Sequence, residues 1–277
     1  MRIIELKRYD LIIVFSMQIA VLLADILPKY QYIMDIRDYS YENYPFFRKI
    51  GSSLLKKSRM NVISSNGFRD WLPDSIEYVL SHNTTLSALK NASVPAFNMQ
   101  TRMLLYIGAI RYFRPTIEIL DAVANHKEIS VFIVGQGLCE NRIEGYCRRK
   151  AITNVIFAGK YMPEEKRRYL ENTNFIMAAY GNDGVSVSTA VPNKLYDACL
   201  YGKPIIVSKG TFVARLVEDY GLGIVFDPKN PAGFMNDIDQ YYDRPYYEEY
   251  LSNRRRFLRI AEEETVLFNQ KLINCLR

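Results

Sequence analysis

The chain has 277 residues, 49% hydrophobic and 24% charged, with a formal net charge of +6. That length holds one large or two modest domains, the apolar content is ample for a core, and no repeat or low-complexity segment interrupts it. Only two histidines, His82 and His126, and four cysteines without a C-x-x-C pair are present, which argues against a histidine-rich metal site or a serine–histidine relay and makes the cysteines free thiols of a reducing, cytoplasmic setting.

The positive balance favours anionic partners, either phosphates or an acidic membrane surface. The excess is spread along the chain rather than blocked, which argues against nucleic acid. The one dense run, Arg254–Arg256 with Arg259, reads as a solvated helix face.

Taken in order, the chain opens on charged residues from Glu5 to Asp10, so no signal peptide is expected. Leu11–Leu27 carries Gln18 and Asp25 and falls short of the roughly 20 apolar residues that span a bilayer. It reads instead as a strand, Leu11–Phe15, and a helix, Met17–Leu27. Strand Tyr32–Asp35, a Tyr-rich loop, helix Phe46–Lys57, strand Asn61–Ser64, helix Gly67–Leu72 and strand Ile76–Leu80 follow. Residues 83–102 lack periodicity and read as a linker. The pattern then restarts with strands Met103–Ile107, Ser130–Val134, Asn154–Phe157 and Asn174–Ala178. Between them lie helices Pro115–Ala124, Asn141–Lys150 and Pro163–Glu171. A Gly-rich loop, Tyr180–Ser188, leads to a short helix after Pro192 that ends at Gly202, and to a buried strand at Ile205–Val207. Helix Thr211–Tyr220, strand Gly223–Phe226, helix Pro231–Tyr242 and a tail helix from Tyr246 to about Cys275 complete the chain. Strands alternating with helices predict parallel sheets covered on both faces.

The helix after Pro192 is the most informative stretch. Pro192 suits a first helical position, and Leu195, Ala198 and Cys199 form its packing face. Gly202 suits a left-handed stop with Pro204 behind it. The helix start offers free N–H groups and a positive dipole end beside Lys194, an anion site. Asp197, one turn in, can accept hydrogen bonds from a neutral diol. The same hardware is also ordinary in α/β proteins.

Pro192-Asn-Lys-Leu-Tyr-Asp-Ala-Cys-Leu-Tyr-Gly-Lys-Pro-Ile-Ile206 resembles the donor-site signature of GT-B glycosyltransferases of the family-four type. Leu104–Arg111 is similar to the first strand and glycine loop of that family's donor domain, Val131–Gly137 to its second strand and glycine turn, and Val155–Pro163 to the stretch beside the base. Phe175–Tyr180 is similar to a strand ending in Pro-Tyr, with Ala179 in place of the proline. Val62–Phe68 and Val79–Asn83 resemble the last acceptor-domain strands. Two departures stand out. Thr189 occupies the position of the first of two signature carboxylates, and Asp197 replaces glutamate at the second. The chain also enters mid-domain, near Asp35-Ile-Arg37-Asp38, where the family often has a histidine in place of Arg37.

The resemblance implies an α/β fold of two Rossmann-like domains facing a cleft (GT-B), the first incomplete. The division is an acceptor-side domain at 1–83, a linker at 84–102, a donor domain at 103–245, and a tail helix at 246–277 crossing back to the first domain. It implies retaining transfer of a sugar from a UDP- or GDP-sugar to a surface-polysaccharide or lipid-linked saccharide acceptor, with the nucleotide sugar as substrate and no cofactor. Arg111, Arg114 and Lys194 stabilise the leaving diphosphate without metal. Charge on that phosphate is the main electrostatic task, and a charge pair at 4 Å contributes about 4 kcal/mol at a dielectric of 20. Arg111 and Lys194 are the catalytic candidates. Gly108, Arg114, Gly135, Gln136, Lys160, Tyr161, Ser188, Thr189, Leu195 and Asp197 are the donor-binding candidates, and Arg37 and His82 are placed on the acceptor side. Asp237-Ile-Asp239 has the form of a metal motif but reads as a solvated helix face. Cytoplasmic placement at the inner face of the membrane, and association through the incomplete first domain, complete the expectations. The alternatives are a non-catalytic nucleotide-sugar-binding module and a nucleotide-sugar epimerase on the same fold.

Overall fold

The computed structural model describes residues 9–90, 94–95, 97–124 and 126–276. The charged opening residues Glu5–Arg8 and part of the expected linker (91–93 and 96) lie outside the described residues. The chain divides into two units, one formed by Met1–Leu86, Gly184–Val191 and Ala261–Arg277, the other by Ser87–Asp183 and Pro192–Ile260.

The first unit holds a four-stranded parallel sheet in the order β1-β2-β3-β4, with β1 Ile12–Phe15, β2 Tyr32–Ile36, β3 Met60–Ile63 and β4 Val79–Leu80. Every residue of β2 and β3 is buried, because both faces of a parallel sheet are covered. Helices α1 (Met17–Leu22) and α2 (Pro45–Lys57) cover one face, packing Met17, Ala20, Leu54 and Leu55 on Met34, Ile36 and Ile63. On the other face Ile33, Met60, Val62 and Val79 meet Phe268 and Leu272 of the terminal helix, Arg244–Leu276.

The second unit holds a six-stranded parallel sheet in the order β10-β9-β8-β5-β6-β7. Its strands are β5 Arg102–Ile107, β6 Ile129–Val134, β7 Val155–Gly159, β8 Phe175–Ala178, β9 Ile205–Ser208 and β10 Gly223–Phe226. Connecting them are α3 (Phe113–Val123), α4 (Glu140–Arg149), α5 (Lys166–Glu171), α6 (Asn193–Tyr201), α7 (Phe212–Tyr220) and α8 (Pro231–Gln240). The chain runs outward from β5 through β6 to β7, then returns to β8 on the other side of β5 and runs outward again. The loops after β5 and β8 therefore diverge, leaving a crevice at the carboxyl ends of these neighbours. This is the place where open α/β sheets bind ligands.

Several boundaries differ from the sequence reading. The first helix stops at Leu22, and a 3-10 turn at Leu27–Lys29 carries Pro28. Gly67–Leu72 is a 3-10 turn, Asn66–Asp70, because Ser65 Oγ caps it through Gly67 N. The loop Tyr180–Ser188 contains a helix, Val185–Thr189, and the linker contains another, Leu86–Lys90. Pro192 is the cap rather than the first helical residue, and Pro115 lies third in α3; both sit where no intrahelical N–H bond is lost. Arg254 is not on a solvated face. It is 5% exposed and donates to the Cys199 carbonyl, at the end of α6. Asp239 is exposed on its helix face, as expected, and pairs there with Arg102 at the start of β5.

Candidate functional site

The switch-point crevice is built from tyrosines. Tyr106, in β5, is 1% exposed, and its hydroxyl donates to the Ala109 carbonyl. Burial pushes its phenol up to about 12. Tyr112 precedes α3, and Tyr180 follows β8. The rings of Tyr112 and Tyr180 stack at 4.5 Å between centroids and 24° between planes, so the two diverging loops are joined ring to ring.

Lys194, second residue of α6, reaches into this cluster. Its Nζ donates to Tyr180 Oη at 2.7 Å and lies over the rings of Tyr106 (5.5 Å) and Tyr180 (5.2 Å). A Cβ on Gly108, whose φ is +112°, would lie 3.6 Å from that Nζ. Among the described residues Lys194 forms no ion pair. Burial lowers its ammonium to about 8, with Asp197 pulling the other way and Lys166 adding to the depression. The aromatic faces and the one hydroxyl partly offset the loss of water around the ammonium. The α6 N-terminus beside it carries no side-chain cap, so its first-turn N–H groups add to the positive potential.

Asp197 sits one turn further along α6 and is engaged by Lys166 at 2.9 Å (Oδ1) and 2.7 Å (Oδ2). The lysine comes from α5, so the pair ties α5 to α6.

The other expected residues fall into three groups. Gly135 needs its glycine for a reason internal to the fold, because a Cβ there would stand 1.9 Å from the Gly108 carbonyl oxygen. Two strand-end turns are thus pressed backbone to backbone. Arg111 and Gln136 are exposed on the same pair of turns, and the Gln136 carbonyl accepts from Ile110 N. Arg114 is exposed and bound along α3 to Glu118 at 3.0 Å. Beside it a hollow of about 90 Å³ is lined by Gly181, Asn182 and Ser208. Lys160 and Tyr161 follow β7, the edge strand two places from β5, with Tyr161 edge-on to Tyr169.

Leu195 corrects the expectation of a donor-contacting side chain: at 0% exposed its side chain belongs to the core, and its N–H donates to the Pro192 carbonyl at 3.0 Å. Ser188 and Thr189 belong to the other unit. Thr189 is 5% exposed, its hydroxyl donates to Val185 O and accepts from Trp71 Nε1, and its carbonyl accepts from Ser65 Oγ. That makes it a packing residue rather than a free hydroxyl.

On the acceptor-side candidates, Arg37 is clamped by Asp35 (2.8 and 2.6 Å) and donates to Asn83 Oδ1 at 3.0 Å, joining the carboxyl ends of β2 and β4. His82 Nε2 lies 2.7 Å from Glu264 of the terminal helix. Among the described residues no group of three or more His, Cys, Asp or Glu side chains is arranged to hold a metal ion.

Sequence reasoning missed Tyr106, Tyr112 and Lys166 as site residues. The signal for the two tyrosines was an aromatic residue at or past a strand end, which joins Tyr180 in a cluster only when β5 and β8 are known to be adjacent; Lys166 enters only through its pairing with Asp197.

The model of the family described as Glycosyl transferases group 1 matches residues 89–257, more than half of the chain. The O-antigen chain mannosyltransferase C of Escherichia coli is 24% identical over 158 residues, covering 55% of this chain and 41% of that protein. The match therefore spans less than half the length of that relative. Among solved structures, the Anabaena protein HepE in complex with UDP is similar with a TM-score of 0.74 at 14% identity, over 99% of this chain and 80% of that one. Sucrose-phosphate synthase from Thermosynechococcus elongatus is similar with a TM-score of 0.71 at 16% identity, over 97% and 74%. These likenesses bear out the GT-B-type α/β fold expected from the sequence. The matched residues span the whole six-stranded sheet and α6 with Lys194, and on that match the chain belongs to the Glycosyl transferases group 1 family.

Proposed function

We propose that the protein transfers a sugar from a nucleotide-diphosphate sugar to a surface-polysaccharide or lipid-linked saccharide acceptor. The observation that carries the reading is Lys194, a buried cation in no ion pair among the described residues, set at a helix N-terminus in the switch-point crevice. Negative charge arriving there is met by the ammonium and by the first-turn N–H groups, and each contribution is larger where water is excluded. When the glycosidic bond breaks, electrons move onto the diphosphate oxygen and the sugar becomes oxocarbenium-like. Lys194 then stabilises the leaving group, with exposed Arg111 closing from the β5 loop. This division of labour needs no metal. Asp197, steadied by Lys166, accepts from the ribose hydroxyls, and Gln136, Lys160 and Tyr161 border the base. Retention of anomeric configuration follows the family resemblance. UDP is the first nucleotide to test because HepE was solved with it. A lipid-linked acceptor places the protein at a membrane surface, in keeping with the net charge of +6.

The test is calorimetry with UDP, GDP and CMP sugars, followed by turnover of the bound donor with lipid-linked saccharides from membrane extract. Binding of a nucleoside diphosphate with release of labelled sugar to the lipid fraction is expected. Absence of binding by every nucleotide sugar would overturn the reading. Binding with interconversion of the donor, and no transfer, would make the protein an epimerase.

A further inference from the structure

The helix α2 carries a charge pattern that the site above does not use. From Pro45 to Arg59 the sequence contains Arg48, Lys49, Lys56, Lys57 and Arg59 and no acidic residue. All five cations are exposed, and none forms an ion pair among the described residues. This contrasts with Arg114, Arg148 and Arg167 of the other unit, each bound to a glutamate four residues away.

Helical geometry sorts α2 into two faces. Phe47, Ile50, Gly51, Leu54 and Leu55 lie toward the sheet. Phe46, Lys49, Ser53, Lys56 and Lys57 fall on the opposite side, at spacings of three, four and seven that bring them into one stripe. Phe46 is 75% exposed.

Helix α1 adds to this surface. It covers the same sheet face as α2 and packs directly on it, close enough that a Cβ on Gly51 would stand 2.8 Å from Met17 Sδ. The outward sides of the two helices therefore face the same solvent. On α1 that side carries Ile19 and Leu22, 47% and 75% exposed, and no cation. The acidic residue nearest in sequence is Asp25, beyond the helix end.

We propose that this outward face of α1 and α2 docks the protein on an anionic phospholipid bilayer. Phe46, Ile19 and Leu22 enter the headgroup boundary, and Lys49, Lys56 and Lys57 meet the lipid phosphates. Large apolar side chains exposed beside long flexible cations suit an interface in which one end of each side chain is apolar and the other wet. The unbroken positive charge complements an anionic leaflet. The inference deepens the reading of a membrane-borne acceptor, and it is tested apart from transfer.

The experiment is sedimentation of the full chain with vesicles of phosphatidylcholine alone or with about one third phosphatidylglycerol. Two charge-matched triple variants are compared with the wild type: Lys49→Glu/Lys56→Glu/Lys57→Glu on the proposed face, and Lys127→Glu/Arg149→Glu/Arg168→Glu on exposed sites of the other unit. Circular dichroism and UDP calorimetry report whether each variant is folded. The wild type is expected to pellet with the anionic vesicles and not the neutral ones, with affinity falling as salt rises. The α2 variant is expected to lose at least roughly tenfold in partitioning, while the control keeps most of it. Phe46→Ser/Leu22→Ser is expected to weaken the binding that survives high salt. Failure of the wild type to bind anionic vesicles at low salt would overturn the proposal. So would equal losses in the two triple variants, which would reduce the effect to net charge. UDP binding intact alongside either result would leave the donor-site reading standing.

Discussion

Lys194 and Lys203 are both buried lysines held near a titration point of about 8, with opposite consequences. Lys194 faces the crevice. Its charge is present below about pH 8 and lost above it, so on the proposed function its contribution to diphosphate binding is expected to fall as pH rises through that value. Lys194→Ala is expected to weaken UDP roughly 10- to 100-fold, the range of a hydrogen bond to a charged group, and to leave uridine unchanged. The wild-type loss of UDP affinity between about pH 8 and 10 should vanish in the variant; calorimetry of both ligands across that range checks both points, and equal losses for UDP and uridine would remove Lys194 from the phosphate. Lys203 is 1% exposed and, among the described residues, donates only to the Glu171 carbonyl. Its folded value lies below the unfolded one, so the unfolded chain binds more protons between about 8 and 10.5, and stability from this group rises with pH through that window. Lys203→Met should therefore stabilise the protein at pH 7 by on the order of 1 kcal/mol, an advantage that shrinks toward pH 10 in urea denaturation curves.

At the scale of the element, α6 depends on how it stops as much as on how it starts. Gly202 caps it at φ 64°, ψ 38°, and Lys203 N returns to the Ala198 carbonyl. The Cys199 carbonyl near the open end is taken by Arg254, and the Gly202 carbonyl accepts from Tyr247 Oη at 2.8 Å. A side chain at Gly202 is disfavoured twice, by the left-handed backbone and by Val94, whose Cγ1 would lie 2.4 Å from the new Cβ. Gly202→Ala is expected to cost about 1–2 kcal/mol. Because the strain lies at the far end from Lys194, the loss should show in the melting temperature before it shows in UDP affinity.

At the scale of the molecule, the terminal helix serves both units. Tyr247, Tyr250, Phe257 and Leu258 are buried in its first part, and Phe268 and Leu272 in its last part cover Ile33, Val62 and Val79 of the first sheet. The last part also holds His82 through Glu264 and Glu77 through Lys271. A chain ending at Ile260 keeps the core of the second unit and uncovers one face of the first. Such a truncation is expected to bind a hydrophobic dye and to aggregate, because an exposed apolar sheet face seeks a partner, while any soluble fraction retains UDP binding. Unchanged dye fluorescence would show that the first sheet does not rely on this cover.

The features settled by the sequence alone are those whose cause lies within a few residues. The alternation of apolar strands and amphipathic helices set the two parallel sheets, and the Asn193–Tyr201 helix was legible from Pro192 before it and Gly202 after it. Lys194 could be placed beside an uncapped helix N-terminus for the same reason. The family resemblance rested on such local runs in the right order. The tertiary structure decided which side chains meet. Trp71 and Ser65 reach Thr189 across more than a hundred residues and turn an expected ligand into a packing contact. Arg254 reaches Cys199 across 55 and leaves the solvated face to which its neighbours assigned it. Tyr106, Tyr112 and Tyr180 become one cluster only because β8 returns to lie against β5. Backbone preferences act over a turn or a strand, whereas burial and hydrogen-bond pairing are chosen by the packed sheet, whose neighbours in space are far apart in the chain.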